Sequence, residues 1–232
     1  MSNPNLVLLI AMAKRLRPLL DELVFVGGCS TGLLVSDTAS APIRPTTDVD
    51  VMVEIVTRAA YYTLAERLRE LGFQEDTADN APICRWIIDS MVLDVLPTDP
   101  AILGFSNRWY PDALQAAQPF VLAEGLVIRL ITAPHFLATK LEAFYGRGQG
   151  DFLFSHDLED IVAVIDGRPA LADEIQAANP ALRAYLAAEF AALLRQSAFH
   201  DALPGFLPGD NASQQRLPGV IQLIGKIANL DG

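Results

Sequence analysis

Cysteine, histidine and basic residues are scarce in this chain of 232 residues. It contains 2 cysteines and 3 histidines. Cys29 and Cys84 are far apart in the sequence, which gives neither a disulfide framework nor the spacing of zinc ligands, so we expect two reduced, structural thiols. Lys and Arg total 17 against 28 Asp and Glu, a net charge of -11. Such a charge opposes nonspecific binding to nucleic acid, because that binding depends on neutralising phosphates.

Long apolar runs are also lacking. The first apolar stretch, residues 6–13, is too short to span a bilayer, and its basic neighbours follow it, the reverse of a secretory signal. The later Ala-rich stretch is interrupted by Arg183 and Glu189. We therefore expect no membrane partner, and a cytoplasmic location is the simplest interpretation. The composition, 51% hydrophobic and 19% charged, is typical of a folded chain.

The first half of the chain contains patterns of both helices and strands. Apolar residues at helical spacing predict an opening helix over residues 6–16, and Leu23–Val26 has the composition of a short strand. Residues 48–55 alternate as a strand does. The apolar runs before and after Asp89 and Ser90 predict a strand pair joined by a tight turn.

The pattern changes beyond Pro134, where apolar residues recur only at helical spacing. One more strand is predicted around residues 126–131. The sequence therefore predicts an α+β fold, with a sheet and flanking helices in residues 1–131 and a helical domain in residues 132–232.

Three aspartates lie in predicted strands. Asp48 and Asp50 are two residues apart, so their side chains leave the same face of the strand. Adjacent carboxylates among valines stay ionised at little cost only beside a cation, and magnesium is the cation that we expect. Asp94 lies inside the apolar run 91–96, where an unpaired charge is strongly destabilising. We therefore predict that Asp48, Asp50 and Asp94 share a metal site with oxygen ligands.

Simpler interpretations of the same aspartates stay open. Asp48 can cap the entrance of its strand while Asp50 faces solvent. Asp94 can lie on an edge strand in contact with water. Either arrangement would need no metal ion.

A glycine pair follows the first predicted strand. Glycines at this place allow the backbone to approach a phosphate closely, and the amides of a helix N-terminus can bind it together with a hydroxyl. We therefore predict that Gly27, Gly28 and Ser30 bind a nucleotide. The alternative is that the two glycines form only a tight turn.

These features occur in a definite order along the chain. Gly-Gly-x-Ser is followed by a helix, a loop, an Arg-x-Thr-Thr-Asp-x-Asp strand that starts from Arg44, and a later strand aspartate. This order resembles the DNA polymerase β-like nucleotidyltransferase superfamily. Within it, the chain looks most like the branch that contains the AbiEii-type toxins of bacterial abortive-infection and toxin-antitoxin systems.

The resemblance extends into the second predicted domain. Lys140 begins a Lys-Leu-x-Ala motif with Arg147 after it, and His156, Asp157 and Asp160 match a basic residue followed by two aspartates. By this resemblance, Lys140 would neutralise triphosphate charge and act in catalysis, Arg147 would bind the nucleotide, and Asp157 would position the nucleotide or the acceptor. Alternatively, Lys140 extends past an apolar stripe to solvent, Arg147 is an ordinary charge near a helix end, and the two aspartates only suit a helix dipole.

The resemblance implies a reaction in which a nucleoside monophosphate moves from an NTP to an acceptor and pyrophosphate leaves. It implies two magnesium ions about 4 Å apart, or manganese in their place. Asp48 and Asp50 would hold them, and Asp94 would complete the site and act as the base.

Three hypotheses about function follow. The first is a toxin that modifies tRNA or another RNA and has an antitoxin protein as partner. The second is a nucleotidyltransferase acting on small molecules, as antibiotic-modifying enzymes do, for which an acidic protein suits cationic substrates. The third is a non-catalytic protein that binds nucleotides.

Overall fold

The chain divides into two compact units. The computed structural model describes residues 4–37, 39–104, 107–146 and 151–230. Unit 1 comprises Met1–Ser30 and Pro45–Thr132, and unit 2 comprises Thr31–Arg44 and Ala133–Gly232. The predicted change near residue 132 coincides with one limit of these units. Segment 31–44, however, groups with unit 2, although the sequence places it between two elements of the first predicted domain.

One mixed sheet is the centre of unit 1. Within the described residues its strands are β1 Leu23–Val26, β2 Asp48–Val53, β3 Gln74–Glu75, β4 Arg85–Ile88, β5 Met91–Pro97, β6 Gln118–Ala123 and β7 Leu126–Leu130. They are arranged in the order β3-β4-β5-β2-β1-β7-β6. β2 is parallel to β5 and antiparallel to β1, and β1 is parallel to β7. Strands β5, β2 and β1 therefore lie in the interior of the sheet.

Helices flank this sheet along the chain. They are α1 Pro4–Arg15, α2 Gly27–Leu34, α3 Arg58–Glu70, α4 Pro100–Leu103 and α5 Tyr110–Ala116. The predicted opening helix is confirmed, and a 3-10 turn at Arg17–Leu19 follows it where Pro18 removes a backbone donor. The side chain of Thr57 accepts a hydrogen bond from the Ala60 amide at 3.1 Å and so caps the start of α3.

Apolar side chains of the strands form the core of unit 1. All four residues of β1 are buried, which explains why this strand is apolar without alternation. Phe25, Val51 and Leu93, on the three central strands β1, β2 and β5, have no exposed surface. Each such side chain stabilises the fold by about 1.5–3 kcal/mol through burial.

Strands β4 and β5 form the predicted hairpin. Asp89 and Ser90 form its turn and both have positive φ, 46° and 65°. Such angles suit a two-residue turn between twisted strands. The turn fixes a register in which Ile88 pairs with Met91 and Arg85 pairs with Asp94.

Unit 2 is helical, as the sequence predicts. Its helices within the described residues, apart from the end of α2, are α6 Ala133–Gly146, α7 His156–Gly167, α8 Leu171–Ala177, α9 Pro180–Leu194, α10 Ser197–Ala202, α11 Asn211–Gln214 and α12 Leu217–Ala228. Their apolar stripes meet in a core that includes Phe136, Leu158 and Phe190, each 0% exposed. Nowhere in the described ranges is a helix both long enough and apolar enough to cross a membrane.

Backbone hydrogen bonds explain why segment 31–44 belongs to unit 2. The amides of Ser36 and Asp37 both donate to the carbonyl of Gly167, at 2.8 and 2.9 Å. Arg216 binds the carboxylates of Asp37 and Asp166 at 2.8 and 2.7 Å. The segment is therefore anchored to α7 and to the start of α12.

Some elements were not predicted or differ at their ends. No sequence pattern predicted β3, β6, α4, α5, α8 or α10. Helix α2 begins at Gly27, so it includes the Gly-Gly-x-Ser motif that the predicted order placed before the helix. The stretch before the last helix, α12, contains a 3-10 helix, Leu203–Phe206, and α11.

Candidate active site

The three predicted metal-binding aspartates lie on two neighbouring interior strands of unit 1. Asp50 of β2 pairs in register with Asp94 of β5, and Asp48 pairs with Val92. Side chains two residues apart in a strand, and side chains in register on adjacent strands, share a face of the sheet. The structure therefore brings all three carboxylates to one face.

These carboxylates differ in burial. The side chain of Asp48 is 35% exposed, Asp50 is half-buried, and Asp94 is 7% exposed. Strand β5 lies between β4 and β2, so Asp94 is not on an edge strand. The simpler interpretation with Asp94 in open water is therefore wrong.

A residue that the sequence analysis missed, Arg85 of β4, lies on the same face. It pairs in register with Asp94. Its Nε and one terminal nitrogen donate to the two carboxylate oxygens of Asp94 at 2.9 and 2.7 Å. The same terminal nitrogen lies 3.4 Å from Oδ2 of Asp48. The hydrogen bond to Asp94 raises the pKa of Arg85 above its ordinary value, so this cation stays charged.

The donor chemistry of this face fits a hard divalent cation. Asp48, Asp50 and Asp94 offer only oxygen, which is what magnesium and manganese prefer. Within the described ranges, no three acidic, cysteine or histidine side chains already stand in the geometry of a metal site. The guanidinium of Arg85 donates to both oxygens of Asp94.

The predicted nucleotide-binding glycine Gly27 lies directly beside Asp50. It has φ of 68°, a conformation that side chains with a Cβ atom rarely adopt. A Cβ atom at this position would lie 1.8 Å from Oδ2 of Asp50. Gly27 is therefore needed for the close approach of the carboxylate to the backbone.

Gly27 also begins α2, and Gly28 follows it in the first turn. Amides in the first turn of a helix have no acceptor within the helix. The start of α2 can therefore present backbone donors beside Asp50, as the predicted phosphate-binding role requires. That role stays a prediction.

Ser30, the third predicted nucleotide-binding residue, also lies in α2. Its side chain is buried, and its hydroxyl donates to the carbonyl of Val26 at 2.7 Å. A hydroxyl has one proton, so Ser30 must leave Val26 before it can donate to a phosphate. The hydrogen bond instead ties the start of α2 to the end of β1.

Both thiols are free and buried, as expected. Burial raises the pKa of Cys29 to about 12 and the pKa of Cys84 to about 12. At neutral pH neither is a thiolate nucleophile.

The predicted catalytic residues of the second domain form a buried network in unit 2. The ammonium group of Lys140, on α6, lies 3.0 Å from Asp157 and 2.7 Å from Asp160, both on α7. Lys140 is 6% exposed, Asp157 6% and Asp160 1%. Lys140 therefore does not extend to solvent, and the two aspartates do more than complement a helix dipole.

Arg44 completes this network. Its Nε and a terminal nitrogen donate to the two oxygens of Asp160 at 3.1 and 3.0 Å, and it lies 3.6 Å from Glu159. The sequence singled out Arg44 only as part of a motif. Its partner Asp160 thus holds two cations, Arg44 and Lys140.

The nucleotide-binding role predicted for Arg147 concerns a residue outside the described ranges, and the catalytic roles of Lys140 and Asp157 stay predictions.

Within the described residues, the chain has a mixed α/β fold in which a seven-stranded sheet carries an acidic face. No family model matches it, and no curated protein matches it. Among solved structures it is similar to the crystal structure of an antigenic nucleotidyltransferase-like protein from Paracoccidioides brasiliensis. The match has 20% identity and a TM-score of 0.49, and covers 87% of this chain and 94% of that chain. Similarity at this level identifies neither an activity nor a substrate.

Proposed function

We propose that this protein is a nucleotidyltransferase that moves a nucleoside monophosphate from an NTP to an acceptor. One observation carries the proposal: Asp48, Asp50 and Asp94 lie on one face of two parallel strands, with the start of α2 beside Asp50. Carboxylates next to backbone donors can serve both a divalent cation and a phosphate chain.

Asp48 and Asp50 would hold the magnesium ions, for which manganese can substitute. The ions would neutralise the charge that develops on the triphosphate oxygens. The amides of Gly27 and Gly28 would orient the phosphates, and Ser30 would join them once its hydroxyl leaves Val26.

Asp94 would accept the proton of the acceptor hydroxyl. The acceptor oxygen then forms a bond to the α-phosphorus, and the bond from this phosphorus to the pyrophosphate oxygen breaks. Since the chain forms no covalent bond itself, its contribution is positioning and electrostatic stabilisation.

For the acceptor we propose an RNA, such as tRNA, with an antitoxin protein as partner. This finer proposal is supported by the resemblance of the Arg44 motif and the Lys140–Asp157 arrangement to the AbiEii-type branch. In that resemblance Lys140 and Asp157 act with the nucleotide, and here they form an ion pair of 3.0 Å.

A small cationic acceptor is the second candidate. The net charge of -11 favours it, because an acidic protein attracts cationic small molecules and repels polynucleotides. The same carboxylate face would serve both acceptors.

The test is incubation of the purified protein with magnesium, each α-labelled NTP in turn, and total RNA. We expect label to enter RNA with one preferred NTP, and chelation of the metal to abolish the transfer. Asp50→Asn, which keeps the size of the side chain, should reduce the rate by about 100-fold or more.

Asp89→Asn is the matched control. Asp89 is also an aspartate of unit 1, but it lies in the exposed turn of the hairpin and pairs with Arg15. This variant should transfer label at the wild-type rate. Transfer that survives Asp50→Asn undiminished would overturn the site. A parallel incubation replaces the RNA with aminated small molecules, and label that enters these but not RNA would select the second candidate.

A further inference from the structure

The carboxylate face of unit 1 carries its own counter-cation. Arg85 donates to both oxygens of Asp94, at 2.9 and 2.7 Å, and reaches Asp48 at 3.4 Å. Of the three aspartates, Asp94 is the most buried and the one most fully engaged by the guanidinium. The two-point geometry is the strongest form of carboxylate binding that a side chain offers.

The position of Arg85 is fixed by the hairpin. The turn at Asp89 and Ser90 sets the register that puts Arg85 opposite Asp94. Its backbone cannot move away without breaking the strand pair. Only the side chain can release Asp94, and this side chain is 26% exposed, so part of it already borders solvent.

A metal ion and Arg85 need the same atoms. A magnesium ion binds a carboxylate oxygen at about 2.0–2.1 Å, through lone pairs that now accept from Arg85. A metal ion and a guanidinium bound to the same carboxylate also repel each other strongly, because the burial of Asp94 leaves little water between them.

We propose that Arg85 competes with the divalent cation for Asp94 and thereby sets the metal affinity of the site. This inference rests on the proposed function, which assigns metal binding to the three aspartates. In the metal-free protein Arg85 holds Asp94 and neutralises part of the charge of the face. When the metal binds, the guanidinium leaves Asp94 and turns to the solvent side, where anionic oxygens of a substrate can receive it.

The experiment measures Mn²⁺ dissociation constants by electron paramagnetic resonance, without substrate. Arg85→Met should bind Mn²⁺ about tenfold more tightly than wild type, which corresponds to about 1.4 kcal/mol. Arg85→Lys keeps the charge but loses the two-point geometry, so its affinity should lie between the two.

Arg15→Met is the matched control. It removes an arginine of the same unit that pairs with an exposed aspartate, Asp89. It therefore changes the net charge by as much as Arg85→Met does, but it leaves the carboxylate face intact. Its Mn²⁺ affinity should equal that of wild type within about twofold.

A second measurement uses the wild-type protein, so it does not depend on the folding of a variant. The Arg85 Nε–H resonance, identified by its loss in Arg85→Lys, should shift and exchange faster with water as Mg²⁺ is added. The Nε–H of Arg168, which donates to Glu174 at 2.7 Å in unit 2, should not respond.

The outcomes separate this inference from the proposed function. Unchanged or weaker Mn²⁺ binding in Arg85→Met, with binding lost in Asp50→Asn, overturns the competition but leaves the metal site standing. Mn²⁺ binding that Asp50→Asn leaves intact, or no Mn²⁺ binding by wild type and Arg85→Met, overturns both. Arg85→Met is expected to bind Mn²⁺ more tightly, and the double variant Arg85→Met/Asp50→Asn is expected to lose this binding. That pair of results supports both the competition and the metal site.

Discussion

Gly27 and Asp50 approach so closely that a Cβ atom at position 27 would have to displace the Asp50 side chain. A Cβ atom on Gly27 would lie 1.8 Å from Oδ2 of Asp50 and 2.8 Å from its Cβ atom. The φ of 68° at Gly27 adds a backbone conformation that alanine disfavours. The geometry of the first strand-to-helix turn is therefore tied to the position of a carboxylate.

Gly27→Ala is expected to destabilise unit 1 by more than backbone strain explains. The positive φ alone costs about 1–2 kcal/mol for a residue with a Cβ atom. Displacement of the Asp50 carboxylate should add at least about 1 kcal/mol. Urea unfolding monitored by fluorescence of the buried Trp86 measures the change.

Gly125→Ala separates strain from the clash. Gly125 has a similar φ of 66°, but a Cβ atom there would meet no other atom within 4 Å. It should lose only the strain energy. Equal losses in the two variants would mean that Asp50 moves aside without resistance.

The sequence contains enough information to predict the register of the candidate site. Two apolar runs around Asp89 and Ser90 predicted a hairpin, and a two-residue turn pairs positions 88 and 91. Counting outward pairs 85 with 94, which places Arg85 beside Asp94. The turn length therefore already indicated that Arg85 lies beside Asp94.

Other features depend on contacts that no local pattern contains. Strand β6 includes Pro119, which removes a ladder donor, and β3 has two exposed residues with no apolar pattern. The assignment of segment 31–44 to unit 2 depends on hydrogen bonds to Gly167, more than 100 positions later. Sequence periodicity predicts helices and strands, but it does not predict hydrogen bonds between segments that are far apart in the sequence.

Lys140→Met is expected to lower the free energy of unfolding of unit 2 by about 3–5 kcal/mol. The variant leaves Asp157 without the ammonium group at 3.0 Å and leaves Asp160 with Arg44 alone. Both aspartates are buried, so water does not replace the lost partner. Thermal and urea unfolding measure the loss.

Lys226→Met is the control for removing a lysine ion pair. Lys226 binds Asp173 at 2.8 Å, but their side chains are 56% and 79% exposed. An exposed pair contributes at most about 1 kcal/mol, so this variant should stay close to wild type. A Lys140→Met protein as stable as Lys226→Met would show that the buried network does not stabilise unit 2.

The same network predicts a loss of stability in alkaline solution. Burial by itself lowers the pKa of Lys140, but the carboxylates of Asp160 and Asp157 outweigh it and raise the pKa above the ordinary 10.5. A group whose pKa is raised on folding stabilises the protein fully below its unfolded pKa, and this stability is lost as pH rises through the folded value. We therefore expect the free energy of unfolding of wild type to fall above about pH 10.5 more steeply than that of Lys140→Met. Parallel curves for the two proteins would contradict this prediction.

Ser30 and Thr31 are neighbours in α2 with buried hydroxyls, and replacing each one tests what its hydroxyl contributes to stability. Ser30 is buried and donates to Val26 at 2.7 Å, whereas the buried Oγ1 of Thr31 has no hydrogen-bond partner within the described residues. Ser30→Ala should therefore lower stability by about 0.5–1.5 kcal/mol. Thr31→Val, which keeps the shape and removes the unpaired hydroxyl, should be as stable as wild type or more so.

Nucleotide affinity then decides whether Ser30 also binds a phosphate. Equilibrium dialysis with magnesium and the preferred NTP should show binding about tenfold weaker in Ser30→Ala and unchanged in Thr31→Val. Since the single proton of Ser30 serves either Val26 or a phosphate, weaker binding requires the hydroxyl to turn when the nucleotide enters. Unchanged affinity in Ser30→Ala would leave the hydroxyl on Val26 and would assign phosphate binding at this turn to the backbone amides alone.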